Sequence, residues 1–243
     1  MAYASANPYQ HFGMTAAQAP ADERSTFIRK TYVHLLGAVL AFVGIEAALF
    51  STGMAERLTE LMVGRGQMGL LVVLGGFMLV SWIANSWARS SNNVALQYAG
   101  LGLYVGAEAI LFAPMLYFAA YMSGQPDVIA SAGIITGVIF VGLTAAVFMT
   151  GADFSWMRTG LIAAGFAALA IAICGALFGF NLGIWFTGAM IFLASAYILY
   201  DTSNVLHHYR IGQHVAASLA LFASVALLFW YVLRLLMSLS SRD

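Results

Sequence analysis

The feature that most constrains this chain is the recurrence of unbroken apolar runs, each about 20 residues long. A helix of that length crosses the roughly 30 Å hydrocarbon layer of a bilayer. Only elements that satisfy their own backbone hydrogen bonds, helices or closed barrels, can cross it. The runs are continuous rather than alternating, which selects helices over a barrel. Composition agrees: 62% of the 243 residues are apolar and 8% are charged, against about one quarter charged in soluble domains. The pattern predicts an all-α integral membrane protein, a bundle of seven transmembrane helices.

The predicted spans are Thr31–Phe50, Met68–Trp87, Val94–Tyr121, Val128–Thr150, Gly160–Phe180, Leu182–Leu206 and Val215–Leu239. The third contains Pro114, which predicts a kink or tilt. No connection is long enough for a second domain, so residues 31–243 form one transmembrane domain. Residues 1–30 read as a flexible cytosolic tail, with Asn7, Pro8, Gln10 and Pro20 followed by Asp22, Glu23, Arg24, Arg29 and Lys30. The tail lacks the apolar core and small-residue cleavage site of a signal peptide. Met1–Ala21 is too poor in apolar residues to repay ordering and is expected to be mobile.

Sidedness follows from Lys and Arg in short loops. With the amino terminus inside, Arg24, Arg29, Lys30, Arg89, Arg158 and Arg210 are cytosolic, whereas Arg57, Arg65, Arg234 and Arg242 lie outside or near that side. The bias predicts an N-in, C-out topology, with lipid as the first partner. Net charge is zero, so no basic footprint points to nucleic acid. Cys174 lies within an apolar run and reads as a small buried hydrophobe. No cofactor is implied.

Glycines four apart (Gly102/Gly106, Gly133/Gly137, Gly175/Gly179) suggest close helix packing within one bundle, or a dimer face. Trp82, Trp87, Trp156, Trp185 and Trp230 fall mostly near span ends, where interfacial anchoring explains them.

Ionisable groups at membrane depth are costly and default to functional candidates. Glu46 lies near the outer end of the first span, Glu108 near the middle of the third, and Asp201 near the cytosolic end of the sixth. Each is a candidate proton-sensitive switch, since burial and a neighbouring Arg move a carboxyl's titration in opposite directions. The alternative for each is a polar group hydrogen-bonded between helices or snorkelling to an interface, an alternative that weighs most for Glu46 and least for Asp201. A buried carboxylate also needs a partner, and Arg89 or Arg210 is expected to pair with Asp201. His207, His208 and His214 follow closely, but a solvated loop explains them better than a metal site does. No metalloprotease, nucleophile-elbow or P-loop motif is present in the sequence, so an enzyme is not expected.

The run Ile198-Leu199-Tyr200-Asp201-Thr202-Ser203-Asn204-Val205-Leu206-His207 and the ending Ser240-Ser241-Arg242-Asp243 resemble the Bax inhibitor-1/YccA family. Thr31-Tyr32-Val33-His34-Leu35-Leu36 and Gly106-Ala107-Glu108-Ala109 are similar to that family's first and third spans. The resemblance implies seven helices, with a central, strongly apolar helix wrapped by the others. In calcium-leak members, an aspartate at the position of Asp201 pairs with a second aspartate on the last helix to sense pH and gate a pore. Alignment on Leu233–Leu236 puts that second position at Ser224, which lacks the charge. Serine there resembles the YccA branch, inner-membrane modulators of the AAA protease FtsH. The resemblance therefore implies a non-enzymatic partner of an FtsH-type membrane protease. The alternative is a pH-sensitive calcium or cation leak channel using Asp201, for which calcium or protons would be the ligands.

Overall fold

A computed structural model of the protein describes residues 14–64, 66–90, 93–121, 127–179 and 182–240. Tail residues 1–13, Arg65 and the closing Ser241-Arg242-Asp243 lie outside the described residues. Among the described residues the chain forms α1 (Ala21–Ser51), α2 (Met54–Val63), α3 (Gly66–Ala88), α4 (Val94–Tyr121), α5 (Val128–Thr150), α6 (Arg158–Phe178), α7 (Gly183–His207) and α8 (His214–Ser240). Seven of these are long and apolar enough to cross a membrane, and the exception is α2. The all-helical, seven-span architecture is the expected one.

The first helix starts at Ala21, well inside the predicted tail. Pro20 stands at its N-cap position, and Asp22 and Glu23 occupy its first turn. A fixed proline φ and acidic side chains at the positive end of the dipole both favour a helix start. The chain before it is not free either. Met14–Ala16 pairs antiparallel with Tyr209–Ile211 in the α7–α8 loop, through Ala16 N–H to Tyr209 O (2.8 Å) and Ile211 N–H to Met14 O (3.1 Å). Ala16 is fully buried there. Within the predicted tail, Met14–Ala16 is therefore paired with the α7–α8 loop.

Charged Glu56, Arg57 and Glu60 alternate around α2 with Ala55, Leu58 and Leu61. At ten residues it is too short to cross, and it packs against α4. Gly53, at φ 71°, makes the left-handed turn that joins it to α1.

The centre of the bundle is α8, which touches α1, α3, α4, α5 and α7. Of its most apolar stretch, 67% is buried, against 44% in α4 and 28% or less in the other spanning helices. Rings lock it to α1 and α4. Phe112 meets Trp230 edge-on at 4.9 Å and stacks on Phe229 at 5.8 Å, while Phe42 meets Phe112 edge-on at 5.2 Å. Trp230 is thus part of the interior packing. Trp82, Trp156 and Trp185 are exposed. Pro114 sits inside α4 without ending it.

The pairs Gly102/Gly106 and Gly133/Gly137 do not mark close approaches. A Cβ added at Gly102, Gly106, Gly133 or Gly137 would meet nothing within 4 Å. One tight crossing is at Gly100, where a Cβ would lie 2.6 Å from the Ala84 carbonyl oxygen on α3. Cys174 is exposed on α6 rather than buried, so it faces the surroundings of the bundle.

Candidate functional site

Crossing and recrossing bring the start of α1, the α5–α6 connection, the end of α3 and the α7–α8 loop to one end of the bundle. Asp201 lies about a turn and a half before the end of α7 at this end, and its side chain is buried. Ser224 Oγ, on α8, donates a 2.6 Å hydrogen bond to Asp201 Oδ2. Both partners are buried, so this hydroxyl–carboxylate contact ties the central helix to α7. A buried acceptor left without its donor is costly, so the contact matters to the packing of the two helices.

The expected ion pair is not formed. Among the described residues no direct salt bridge joins Asp201 to Arg89 or Arg210. Arg89 acts on Asp201 only at longer electrostatic range. Arg210 is exposed, and its backbone is engaged by Thr15 and by Gln213 Oε1. The hydrogen bond that the buried carboxyl requires comes instead from a neutral hydroxyl on the adjacent α8. Tyr209 completes the setting. Burial, and next the Asp201 carboxylate, push its phenol above the ordinary value, while Arg89 pulls the other way.

A second polar layer closes the same end. Ser203 Oγ accepts from Phe154 N–H at 2.9 Å and reaches Asp153 Oδ1 at 3.5 Å. Asp153 Oδ1 caps Ser155 N–H at 2.8 Å, and Asp153 Oδ2 lies 3.7 Å from His208 Nε2. Those contacts, the Ser155 backbone N–H foremost, hold the Asp153 carboxyl below its ordinary value. His207 Nδ1 contacts the Ser203 carbonyl at 3.0 Å. His207 and His208 thus contact Ser203 and Asp153, whereas His214 opens α8 with its ring 4.9 Å from that of His34; among the described residues no three His, Cys, Asp or Glu gather around a metal position.

Asp153 was not singled out by sequence. Its signal is the Asp153-Phe154-Ser155 spacing, in which an aspartate caps the backbone two residues on. Also unforeseen are three buried hydroxyls, Tyr32, Thr144 and Thr202, which lie near one another in the interior. None completes a hydrogen bond of good geometry.

The other two carboxylates stand apart. Glu108 is buried in α4 beside the hydroxyl of Tyr104, one turn earlier. Glu46 is buried in α1, and neither of its oxygens has a hydrogen-bond partner. An ionised carboxylate in that setting is a costly arrangement. The structure thus joins Asp201 with Ser224 but leaves Glu46 and Glu108 in separate surroundings.

A seven-span helical bundle with a carboxylate held between its last two helices defines a polytopic membrane protein with a polar site at one end. The family described as inhibitor of apoptosis-promoting Bax1 matches residues 24–241, and the chain belongs to it. An uncharacterized membrane protein of Vibrio cholerae is 30% identical over 181 residues, covering 72% of this chain and 76% of that protein. Modulator of FtsH protease YccA of Escherichia coli is 28% identical over 221 residues, covering 89% of this chain and 91% of YccA. Protein lifeguard 4 of Mus musculus is 25% identical over 239 residues, covering 96% and 93%. No solved structure matches the chain.

Proposed function

We propose that this chain is a non-enzymatic protein of the inner membrane that binds and modulates an FtsH-type AAA protease, with its amino terminus in the cytosol. The observation that carries the reading is the likeness, along nearly the full length of both chains, to a protein named as a modulator of FtsH protease. The same protein in a second strain is named an inner membrane protein. Two structural features support it. Asp201 is held by a serine rather than by a second carboxylate, so the coupled acidic pair of a calcium-leak site is not assembled. The described start of the chain is tied down at Met14–Ala16 onto the α7–α8 loop, next to a buried central helix. An ATP-driven protease that pulls from this end meets a backbone pairing first and a tightly packed bundle second. Engagement followed by slow extraction occupies the protease and slows turnover of its other substrates.

The test is a mild-detergent pull-down of the tagged full chain from native membranes, with the protease quantified, alongside calcium flux in liposomes. Co-purification with the protease and little flux is the expected result. Absence of the protease, together with robust calcium flux abolished by Asp201→Ala, would replace this reading with the cation-leak alternative.

A further inference from the structure

We propose that the groove between α1 and α5 is a binding site for one acyl chain of a bilayer phospholipid. The groove encloses about 470 Å³, within the roughly 300–1,000 Å³ of small-molecule pockets. Leu36, Val39 and Val43 of α1 form one wall, and Gly133 and Gly137 of α5 the other. Its floor is α8, through Phe222, Val225 and Phe229. Apart from Tyr32 and Thr136, every side chain that lines it is apolar.

Shape and position select the occupant. Ile129, in the first turn of α5, lines one end of the groove. The other end is closed where Tyr32 of α1 meets Phe140 and Phe148 of α5, at ring-centroid distances of 6.4 and 5.8 Å. Between Tyr32 and Val43 the groove follows α1 for about three turns, or ~16 Å. That is about half of the roughly 30 Å hydrocarbon layer, the depth of a single leaflet. The long axis runs with the spanning helices and therefore with the lipid chains.

The side of the groove is open to the same medium that bathes the outer faces of both helices. Leu36 and Val43 on its rim are 59% and 55% exposed, and Val138 and Val141 on α5 are 68% and 63% exposed. In a membrane those faces touch acyl chains, so the groove is continuous with the lipid-contacting surface. The glycines supply the room, because a Cβ at Gly133 or Gly137 would meet nothing within 4 Å. Away from the Tyr32 and Thr136 hydroxyls, the lining offers water no side-chain polar partner. An empty groove would forfeit dispersion contacts along both walls. A flexible, unbranched hydrocarbon chain recovers those contacts.

The proposal is tested with the full chain in phosphatidylcholine vesicles whose acyl chains carry a photoreactive diazirine, followed by peptide mapping of the cross-links. Label is expected on the α8 floor around Phe222–Phe229 as well as on the exposed α6 residues Phe166 and Phe178. Gly137→Phe fills the groove and is expected to abolish the floor label while the α6 label persists. Gly137→Ala leaves space and should retain both. If Gly137→Phe does not fold, Val39→Phe fills the groove from the opposite wall with the same expected loss. Label confined to outer faces in the native protein, or floor label that survives filling of the groove, overturns the proposal.

Discussion

Two helices of this bundle look alike in sequence and behave oppositely in the fold. The most apolar stretch of α6 has the highest mean hydropathy of any span, 2.5, yet 11% of it is buried. The corresponding stretch of α8 has a mean hydropathy of 2.1, and 67% of it is buried. In water the more apolar helix would take the centre. In a bilayer, lipid tails are as apolar as leucine, so hydropathy decides which helices enter the membrane and not which one lies inside the bundle. What distinguishes α8 is what its neighbours can hold: the Ser218 hydroxyl lies 2.7 Å from the Thr31 carbonyl of α1 as well as 2.6 Å from the His214 carbonyl of its own helix, and Ser224 donates to Asp201. The small residues Ala216, Ala217 and Ala226 are buried along it as well. The central helix is thus strongly apolar and wrapped by the others, as the family resemblance implies, although it is not the span of highest hydropathy.

The comparison breaks most visibly in volume changes. Leu228→Ala empties a fully buried site on α8 and is expected to cost ~2–5 kcal/mol, including the cavity left behind. Ile162→Ala on α6, at a site 47% exposed, is expected to stay within about 0.5 kcal/mol. Unfolding of both variants in the same detergent, followed by near-ultraviolet circular dichroism, checks the pair. Equal losses would remove the distinction between the two helices.

Polar groups should follow the same order. Ser224→Ala takes the hydroxyl donor from Asp201 and is expected to cost ~1–3 kcal/mol, the range for leaving a buried polar group unsatisfied. Thr159→Ala, exposed at the start of α6, is expected to change stability little. The same unfolding measurement applies, and Ser224→Thr, which keeps a hydroxyl, should lose less than Ser224→Ala.

Gly165 sharpens the contrast, because it marks where α6 does belong to the bundle. A Cβ there would lie 2.8 Å from the Tyr197 hydroxyl, which donates to the Leu161 carbonyl at 2.8 Å. Gly165→Ala pushes on the far end of a side chain and is expected to cost about 1 kcal/mol, at the low end for overpacking. Gly160→Ala, with nothing within 4 Å of its added Cβ, serves as the control. Tyr197→Phe should relieve the clash and reduce the difference between them.

The smallest effect is expected at the polar end, where α6 and α7 share Asp153. Its carboxyl is held below the ordinary value by the Ser155 N–H and, further down the order, by His208 and His207. A carboxyl depressed on folding contributes stability that is present above its unfolded pKa and lost as pH falls through the folded one. The loss therefore belongs to the acid limb, below the ordinary carboxylate range. Asp153→Asn should flatten that limb in a stability-versus-pH series. A limb of unchanged slope would mean that the exposed pair contributes nothing.

The seven spans were legible because each carries its own evidence, a run long enough to cross the hydrocarbon layer. The short α2 was not, because ten residues with Glu56, Arg57 and Glu60 on them resemble a loop by hydropathy alone. The start of α1 was misplaced for a related reason. Arg24, Arg29 and Lys30 lie in the helix but are charged, and a reading based on hydropathy stops at such residues. Pro20 with Asp22 and Glu23 was the better signal. The pairing of Met14–Ala16 with Tyr209–Ile211 joins segments far apart in the chain, and no local pattern announces it. At the site, charge reasoning sought an arginine for Asp201, whereas alignment on the last helix singled out Ser224. The structure brings those two together through a hydroxyl, a donor that carries no charge to betray its role.

The most direct test of the account is the turnover of a model membrane substrate by the FtsH-type protease in proteoliposomes, with and without the full chain at equal molar ratio. Slower substrate turnover in its presence is expected, with the chain itself degraded more slowly than the substrate. The inhibition should deepen when Met14–Ala16 is kept but residues 1–13 are deleted. Substrate turnover that is identical with and without the chain would contradict the account.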